Sequence, residues 1–408
     1  MTEPAVSDLP LLFQPLALRG VTARNRIMVS PMCQYRSRDG APDDWHLVHL
    51  GRFAVGGAGI VFGEETAVED RGRKTYSCAG LWKDAQIPAY RRITDFIRSQ
   101  GGLPAIQLGH SGNKASSERA PGGAWRPLVA ADAAQGKAPW QALSASPVAM
   151  DAEHAPPREM DRDDIRAVQD AFAEAARRSL DAGFDIVEIH GAHGYLIHQF
   201  LSPLTNHRTD GYGGDRDGRM RFAFEITERV RAVWPADRPL FFRVSSIDGR
   251  GGKWTFHDTL ALAAGLRERG VDVIDCSSGG IQGTSEMTVV PWVAGHHVPY
   301  ASRIKRDTGL RTAAVGMITD PQQAEAILQG GHADIVALAR ELLWNGDWPA
   351  DAARALGLED PYGLLPAAYA NRLRRRERAR AHKLNRIDLQ QARFPVSETE
   401  TMAMPDYD

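Results

Sequence analysis

Short hydrophobic runs alternate along the chain with longer stretches in which apolar residues recur every three or four positions. The short runs predict β-strands and the periodic stretches predict amphipathic helices. The predicted strands are residues 26–30, 59–63, 103–109, 184–190, 239–246, 271–278, 311–316 and 333–339. The predicted helices are residues 44–57, 84–100, 161–182, 216–233, 256–269, 297–307 and 320–330, with a short helix after the last strand.

Eight strand–helix units in series predict a parallel sheet covered by helices. Eight is also the number that closes into a (β/α)8 barrel, the TIM barrel, which takes about 250 residues. An open doubly wound sheet is the rival fold, but no GxGxxG turn follows the first strand. We therefore predict an α/β TIM barrel over residues 1–357. The additional length lies in an insertion after the third strand (110–158), a loop at 279–296, and an arm at 358–408 that could contact a neighbouring subunit.

Composition narrows the class of protein. Of the 408 residues, 43% are hydrophobic and 25% are charged, which is typical of a globular protein. A formal net charge of −2 argues against nucleic acid or a membrane surface as a partner. The start, "MTEPAVSDLPLLFQPL", does not resemble a signal peptide, and no apolar run reaches about 18 residues. Three scattered cysteines without a CxxC pair fit a reducing compartment. These features predict a cytoplasmic protein.

The arm carries a basic stretch, "RLRRRERARAHK" (372–383). Such a stretch could bind nucleic acid or a protein partner. A solvated helix or an extension is the favoured interpretation, because no aromatic residues are interleaved with the charges.

Two polar residues stand on predicted inward strand faces. Arg243 shares a face with Phe241, so its guanidinium needs a partner in the barrel interior. That partner could be an acid such as Glu188, or an anionic cofactor above the strand. Gln107, next to small residues, could bond to the backbone or to the edge of a flat ring with donors and acceptors. The residues alone leave both questions open.

A phosphate site is indicated at the ends of the last two strands. Gly316 follows strand seven and Arg340 begins the short helix after strand eight. Barrels often bind phosphate with these two loops, and glycine allows the backbone to approach closely. The alternative is that Gly316 is an ordinary loop glycine and Arg340 a solvated arginine. We favour the phosphate site because both residues stand where barrels often bind phosphate.

Two histidines follow strand four in "HGAHGYLIHQF" (190–200). A metal site would require further ligands, such as His198 or His207, and no HExxH or CxxC motif accompanies the pair. His190 and His193 could instead donate two hydrogen bonds to one substrate oxygen. Tyr195 could then supply a proton. We favour this interpretation and predict no metal.

Several stretches, in order from about residue 12 to 345, resemble the Old Yellow Enzyme family of FMN-dependent oxidoreductases. They are "SPMCQY" (30–35), "IQLGHSG" (106–112), "VEIHGAHGYLIHQFLSPLTNHRTDGYGGDRDGRMRF" (187–222), "FFRVSS" (241–246), "VGMIT" (315–319) and "ALARELL" (337–343). The cysteine in "SPMCQY" resembles the bacterial class of xenobiotic reductases and thermophilic-like ene-reductases. This family is a TIM barrel with non-covalent FMN at the top.

The resemblance implies cofactor contacts. Gln107 and Arg243 would bond the pyrimidine side of the flavin, and Arg243 would stabilise negative charge near N1. Cys33 would lie near the reactive edge and tune its potential. The other implied cofactor residues are Ser30, Pro31 and Met32 beside the ring, and Gly316, Met317, Ala339 and Arg340 at the ribityl phosphate.

The resemblance also implies substrate contacts. His190 and His193 would bind the carbonyl oxygen of an α,β-unsaturated compound, Tyr195 would donate the proton, and Tyr35 would close the pocket. Lys114 aligns with a substrate- or phosphate-side lysine of this class. NADPH or NADH would be the reductant.

Three features depart from the family pattern or have no clear place in it. Glu65 stands among the flavin contacts where the family commonly has a small residue. Trp125 in the insertion has no assigned role. Arg372 in the arm corresponds only weakly to a residue that reaches a neighbouring subunit's pocket in this class. The class is oligomeric, so we expect a homodimer or homotetramer.

The predicted function is NAD(P)H-dependent reduction of the activated C=C bond of enone-type small molecules. A dehydrogenase or quinone reductase on the same fold is the alternative. A metal-dependent barrel hydrolase, or a non-catalytic partner-binding protein with a basic tail, would be of a different class.

Overall fold

A computed structural model describes residues 9–119, 123–249, 253–281 and 292–381. Eight parallel strands form a closed barrel, because the first pairs with both the second and the eighth. The predicted TIM barrel is confirmed. The strands are β1 Ile27–Val29, β2 Ile60–Ala67, β3 Leu103–Gly109, β4 Ile186–Gly191, β5 Leu240–Ser245, β6 Val273–Ser277, β7 Arg311–Ala314 and β8 Ile335–Leu338.

Helices follow the strands as predicted, with ends that differ by a few residues. Aspartates or threonine cap several of them: Asp161, for example, accepts hydrogen bonds from the N–H groups of Asp163 and Asp164. The long helices and those at the end of the barrel are α1 Asp44–Val55, α2 Ile87–Ser99, α3 Arg162–Asp181, α4 Arg216–Val233, α5 Phe256–Glu268, α6 Val298–Thr308, α7 Pro321–Gln329, α8 Arg340–Trp344, α9 Trp348–Ala355 and α10 Ala367–Ala381. A further short helix, Leu196–Leu201, lies between β4 and α4.

The barrel interior has an apolar floor and a polar layer above it. Phe62 and Phe241 meet in the floor with ring centroids 5.9 Å apart. The strand residues on the opposite faces pack against the helices, so both faces are buried and the strands read as continuous apolar runs. Side chains two positions further along a strand share a face. The inward positions above the floor hold Gln107, Glu188, Arg243 and Asp275.

The second strand is longer than the sequence predicts. It continues to Ala67 because a bulge between Phe62 and Glu65 lets the polar "GEET" stretch keep pairing with β3. A two-residue strand, Ala79–Gly80, then pairs with its end. The bulge brings Glu64 and Glu65 to the C-terminal end of the barrel strands.

The insertion after β3 contains short paired strands that the sequence does not predict. Ser117–Arg119 and Trp125–Pro127 form an antiparallel pair, and Leu143–Ser144 pairs with Arg158–Glu159. The Ser117 N–H donates to the Lys74 carbonyl over 2.8 Å, which ties the hairpin to the loop after β2. Strands of two or three residues are too short to leave a periodic signal.

The described N-terminal residues close the bottom of the barrel. A hairpin of Leu16–Leu18 and Val21–Ala23 adds apolar side chains to the inner floor. The chain divides into two compact units, one ending at Leu365 and one beginning at Pro366. No helix in the described part is long and apolar enough to cross a membrane. Residues 282–291 of the predicted loop and 382–408 of the predicted arm lie outside the described residues.

Candidate active site

A cavity of about 930 Å³ lies at the C-terminal ends of the strands. Eight of the predicted site residues line it: Lys114, His193, Tyr195, Arg243, Gly316, Met317, Ala339 and Arg340. The other predicted residues are not among the lining residues: Ser30, Pro31, Met32, Cys33, Tyr35, Glu65, Gln107 and His190. These belong to the loop after β1 or to β2, β3 and β4.

His190, His193 and Tyr195 form one aromatic cluster. The His190 ring lies 5.1 Å from the His193 ring and 4.9 Å from the Tyr195 ring, between centroids. The backbone N–H of His193 donates to Ser245 Oγ over 2.9 Å, and the His193 ring Nε2 lies 2.7 Å from Ser277 Oγ. Burial, reinforced by the nearby Arg243 charge, moves the pKa of both histidines well below the usual range. Both imidazoles are therefore neutral at neutral pH.

His198 does not join this cluster as a third ligand. Its Nδ1 accepts a hydrogen bond from the Gly194 N–H over 2.9 Å, and burial lowers its pKa to about 3. The described part of the chain holds no group of three or more His, Cys, Asp or Glu side chains that could bind a metal ion. His198 instead stabilises the turn that carries His193.

The polar layer contains two side-chain pairs. Gln107 Nε2 donates to Glu188 Oε1 over 2.8 Å, which fixes the orientation of the Gln107 amide. Arg243 Nε lies 3.3 Å from Asp275 Oδ2 on β6. The acid in ion-pair contact with Arg243 is thus Asp275 and not Glu188, the candidate from the sequence. Burial and repulsion from Asp275 raise the pKa of Glu188 well above its usual range, so Glu188 holds a proton.

The predicted phosphate residues meet at one end of the cavity. Gly316 has a φ of 120°, which favours glycine, and a Cβ there would lie 3.1 Å from the His296 ring. The Gly295 N–H donates to the Gly316 carbonyl over 2.7 Å. The Arg340 guanidinium lies 5.6 Å from the centroid of the Trp292 ring. Met317 and Ala339 line the cavity beside them.

The loop after β1 carries Cys33 and Tyr35 and is held by Glu64. Glu64 Oε2 accepts from the Gln34 N–H over 2.9 Å, and Glu64 Oε1 lies 3.1 Å from His46 Nε2. Tyr35 has a φ of 53°, and burial raises the pKa of its hydroxyl. The Ser30 N–H donates to the Leu338 carbonyl on β8, and this hydrogen bond anchors the start of the loop.

Trp125, which has no role assigned from the sequence, lies in the wall of the cavity. Its ring contacts the Tyr35 ring edge-on with centroids 5.3 Å apart, and it lines the cavity. The Lys74 ammonium lies 3.3 Å from the centroid of the same ring. The insertion therefore supplies one wall of the cavity.

Glu65 is buried at the same end of the barrel. Its Oε1 has no hydrogen-bond partner among the described residues, and its side chain packs over Gly109. Burial, followed by repulsion from Glu64, raises the pKa of Glu65 to about 8. The carboxyl group is therefore mostly protonated at neutral pH.

Lys114 links two loops of the site. Its Nζ donates to the His193 carbonyl over 2.7 Å and to the Gly280 carbonyl over 2.6 Å. Burial lowers its pKa to about 7. Lys114 thus stabilises the backbone that carries His193, in addition to lining the cavity.

Sequence reasoning missed several lining residues. Lys74 and Trp292 lie in loops, where no strand or helix period indicates the direction of a side chain. Asp275, the ion-pair partner of Arg243, is not a lining residue but was also missed, although its alternation with Val273 on β6 could have placed it inward. Ser277 follows on the same face and lines the cavity.

The site fits FMN. A cavity of this size is in the range that holds a cofactor of several hundred daltons. Ser30 Oγ and His190 Nδ1 are buried without a hydrogen-bond partner in the described part of the chain, and buried polar atoms of this kind suit a ligand. Gly316 leaves room for close approach to a phosphate, with Arg340 at the same end.

Residues 11–359 match the model of the NADH:flavin oxidoreductase / NADH oxidase family. The chain belongs to this family, the Old Yellow Enzyme family. Two relatives are bacterial NADPH dehydrogenases. That of Geobacillus sp. (strain WCH70) is 41% identical over 349 residues, 85% of this chain and 95% of the relative. That of Bacillus subtilis (strain 168) is 40% identical over 352 residues, 86% and 96% of the two chains.

Solved structures of this family have the same fold. Morphinone reductase superposes with a TM-score of 0.71 at 25% identity, covering 88% of this chain and 94% of that one. The Old Yellow Enzyme homologue of Zymomonas mobilis gives a TM-score of 0.69 at 26% identity, covering 85% and 93%. As a member of the Old Yellow Enzyme family, the protein is an oxidoreductase with FMN as its cofactor and NAD(P)H as its reductant.

Proposed function

We propose that this oxidoreductase is an ene-reductase that reduces the activated C=C bond of α,β-unsaturated carbonyl compounds. The observation that carries the proposal is the cluster of His190, His193 and Tyr195 beside the Arg243 and Gln107 layer. This arrangement offers hydrogen-bond donors for one oxygen and a hydroxyl proton close by.

The side chains have distinct roles in this proposal. His190 and His193, both neutral, donate hydrogen bonds to the carbonyl oxygen and polarise it. Tyr195 gives its proton to the α-carbon, and burial, with the nearby Tyr35, keeps the Tyr195 pKa high so that the hydroxyl stays protonated until then. Tyr35 closes the pocket over the substrate. The β-carbon would accept a hydride, the chemistry that FMN would supply when bound.

The cofactor contacts are part of the proposal. Gln107 and Arg243 would bind the pyrimidine side, with Arg243 compensating negative charge, and Cys33 would lie near the reactive edge. Glu65 would contribute mainly through its backbone. The remaining residues are Ser30, Pro31 and Met32 beside the ring, and Gly316, Met317, Ala339 and Arg340 at the phosphate.

Anaerobic absorbance spectroscopy tests the function. We expect the flavin band to bleach on addition of NADPH or NADH and to return on addition of an enone, with the saturated ketone as product. A Tyr195→Phe variant should bleach normally but recover about 10²-fold or more slowly, because only the second half-reaction needs the proton. Bleaching without recovery by any enone would refute the ene-reductase proposal.

A quinone reductase or dehydrogenase is the second candidate. The relatives' name, NADPH dehydrogenase, specifies the reductant and leaves the acceptor open. Recovery of the flavin band by quinones but not by enones would favour this candidate. The same cuvette experiment therefore distinguishes the two.

We also propose a cytoplasmic homodimer or homotetramer. Cys33, Cys78 and Cys276 are all free thiols, which fits a reducing compartment. Val48 on α1 and Trp344 at the end of α8 are 70% and 84% exposed, and exposed apolar residues of this size suit a subunit contact. Light scattering of the purified protein measures the assembly. The prediction that Arg372 reaches a neighbouring subunit's pocket depends on this assembly.

A further inference from the structure

A buried lysine that has no ion-pair partner among the described residues lies in the wall of the cavity. Lys74 follows β2 and is only 6% exposed, yet it lines the cavity. Among the described residues, its Nζ has neither a hydrogen-bond acceptor nor an ion-pair partner within 4.0 Å. A buried ammonium without a partner destabilises the folded protein, and a ligand that pairs with it would offset this cost.

The ammonium has a close aromatic contact. Lys74 Nζ lies 3.3 Å from the centroid of the Trp125 ring. A cation–π contact stabilises the charge by about 0.5–2 kcal/mol, which is less than the cost of burying it. Trp125 orients the ammonium but leaves its three N–H donors available to a ligand.

The neighbouring ionisable groups do not cancel this charge. Glu65 acts on Lys74, but its own pKa of about 8 keeps it mostly protonated at pH 7. Burial raises the pKa values of the Cys33 and Cys78 thiols, which stay neutral, and Arg119 adds positive charge. Burial lowers the Lys74 pKa to about 8, so most of the lysine is charged at pH 7.

We propose that Lys74 binds a carboxylate of the substrate and sets a preference for unsaturated carbonyl compounds that also carry a carboxylate. The inference rests on the proposed function, because it adds a second anchor to a substrate whose carbonyl oxygen lies at His190 and His193. The desolvated ammonium would form a charge-assisted hydrogen bond that no neutral substituent can match.

Binding of two isosteric probes tests the proposal without turnover. In the holoenzyme, 4-hydroxybenzoate and 4-hydroxybenzamide are titrated, and each Kd is read from the change in flavin absorbance. We expect the carboxylate to bind about 10-fold or more tightly than the amide, a difference of about 1.4 kcal/mol. Lys74→Met should reduce the ratio to about 1, and Lys74→Arg should retain most of it.

The matched control is Lys83→Met. Lys83 is an exposed lysine that pairs with Asp39 and does not line the cavity. It should leave the ratio unchanged. An equal ratio in the wild type and in Lys74→Met would overturn the inference. If Lys74→Met folds poorly, Lys74→Gln keeps a polar side chain without the charge and gives the same reading.

Turnover and reductant preference separate the other outcomes. An enone acid should have a higher kcat/KM than its methyl ester in the wild type, and this preference should disappear in Lys74→Met. If the variant instead loses a preference for NADPH over NADH, Lys74 binds the reductant's phosphate and the inference is wrong. If no enone is reduced but the probe ratio still depends on Lys74, the ene-reductase proposal fails and the carboxylate site stands.

Discussion

His193 has a backbone conformation that a non-glycine residue rarely adopts, with a φ of 57°. A residue in this region costs on the order of 1 kcal/mol, and the surrounding contacts must supply it. Here the Ser245 hydroxyl accepts from the His193 N–H and the Lys114 ammonium binds the His193 carbonyl. The turn therefore holds the imidazole toward the cavity, where a substrate oxygen would lie.

The two histidines should affect substrate binding and not cofactor binding. We expect His190→Ala combined with His193→Ala to weaken binding of enones and phenols by about 10²-fold, because two hydrogen bonds to one oxygen are lost. The protein should remain yellow. Spectral titration with a phenol gives the Kd, and flavin content after gel filtration is the control. Loss of FMN from the double variant would mean that these roles are misassigned.

Glu65 and Gly109 form a size-matched pair. A Cβ on residue 109 would lie 2.3 Å from Glu65 Oε1, so the carboxyl group fits only because residue 109 is glycine. Gly109→Ala should lower the free energy of unfolding by about 1–3 kcal/mol through overpacking. Adding Glu65→Ala should restore most of that loss.

Urea denaturation of the wild type, both single variants and the double variant measures this coupling. Gly331→Ala is unsuitable as a control, because the φ of 66° at that glycine adds its own strain. Gly63→Ala is better, because the nearest atom to its Cβ would be 3.7 Å away. Additive effects of Gly109→Ala and Glu65→Ala would show that the two side chains do not compete for space.

At the scale of elements, α1, the β2 bulge and the loop after β1 are joined through His46. His46 lies between Asp43, the N-cap of α1, and Glu64 in the bulge. Burial opposes its charge, but the hydrogen bonds and charges of Glu64 and Asp43 outweigh burial and raise its pKa. Protonated His46 therefore stabilises the folded protein.

This stabilisation depends on pH with a defined sign. It is complete below the unfolded-state pKa of about 6.5 and is lost as the pH rises through the higher folded-state pKa. We expect the wild type to lose stability relative to His46→Gln as the pH rises above about 6.5. Urea unfolding of both proteins at several pH values measures the difference, and other titrating groups cancel in the comparison. A difference independent of pH would contradict the prediction.

The barrel could be predicted from the sequence because each strand carries its own local signal. The β2 bulge and the short hairpins of the insertion could not, because they depend on partners far along the chain. Arg243 and Gln107 could be placed inward by alternation along a strand. Lys74 and the contact of Lys114 with the Gly280 carbonyl could not be predicted, since loop geometry sets them.

At the scale of the whole molecule, the apolar floor of the barrel provides stability and the polar layer above it provides contacts for a cofactor. Apolar side chains close the bottom of the barrel and make the strands rigid. The polar layer then costs stability, since Glu188, Arg243 and Asp275 are buried with few partners. A bound cofactor that contacts this layer should stabilise the folded protein by mass action.

The unit that begins at Pro366 should be dispensable for the barrel. Every barrel strand and all the described lining residues of the cavity lie before Leu365. A chain that ends after Leu365 should therefore fold, retain FMN and keep a melting temperature within a few degrees of the full chain. Circular dichroism, flavin content and light scattering measure these properties. The truncated chain could fold and bind FMN but change its oligomeric state or its KM. That result would place the function of the arm, including Arg372, in assembly or in a neighbouring subunit's pocket. A truncated chain that fails to fold would contradict the prediction and show that the barrel needs the arm.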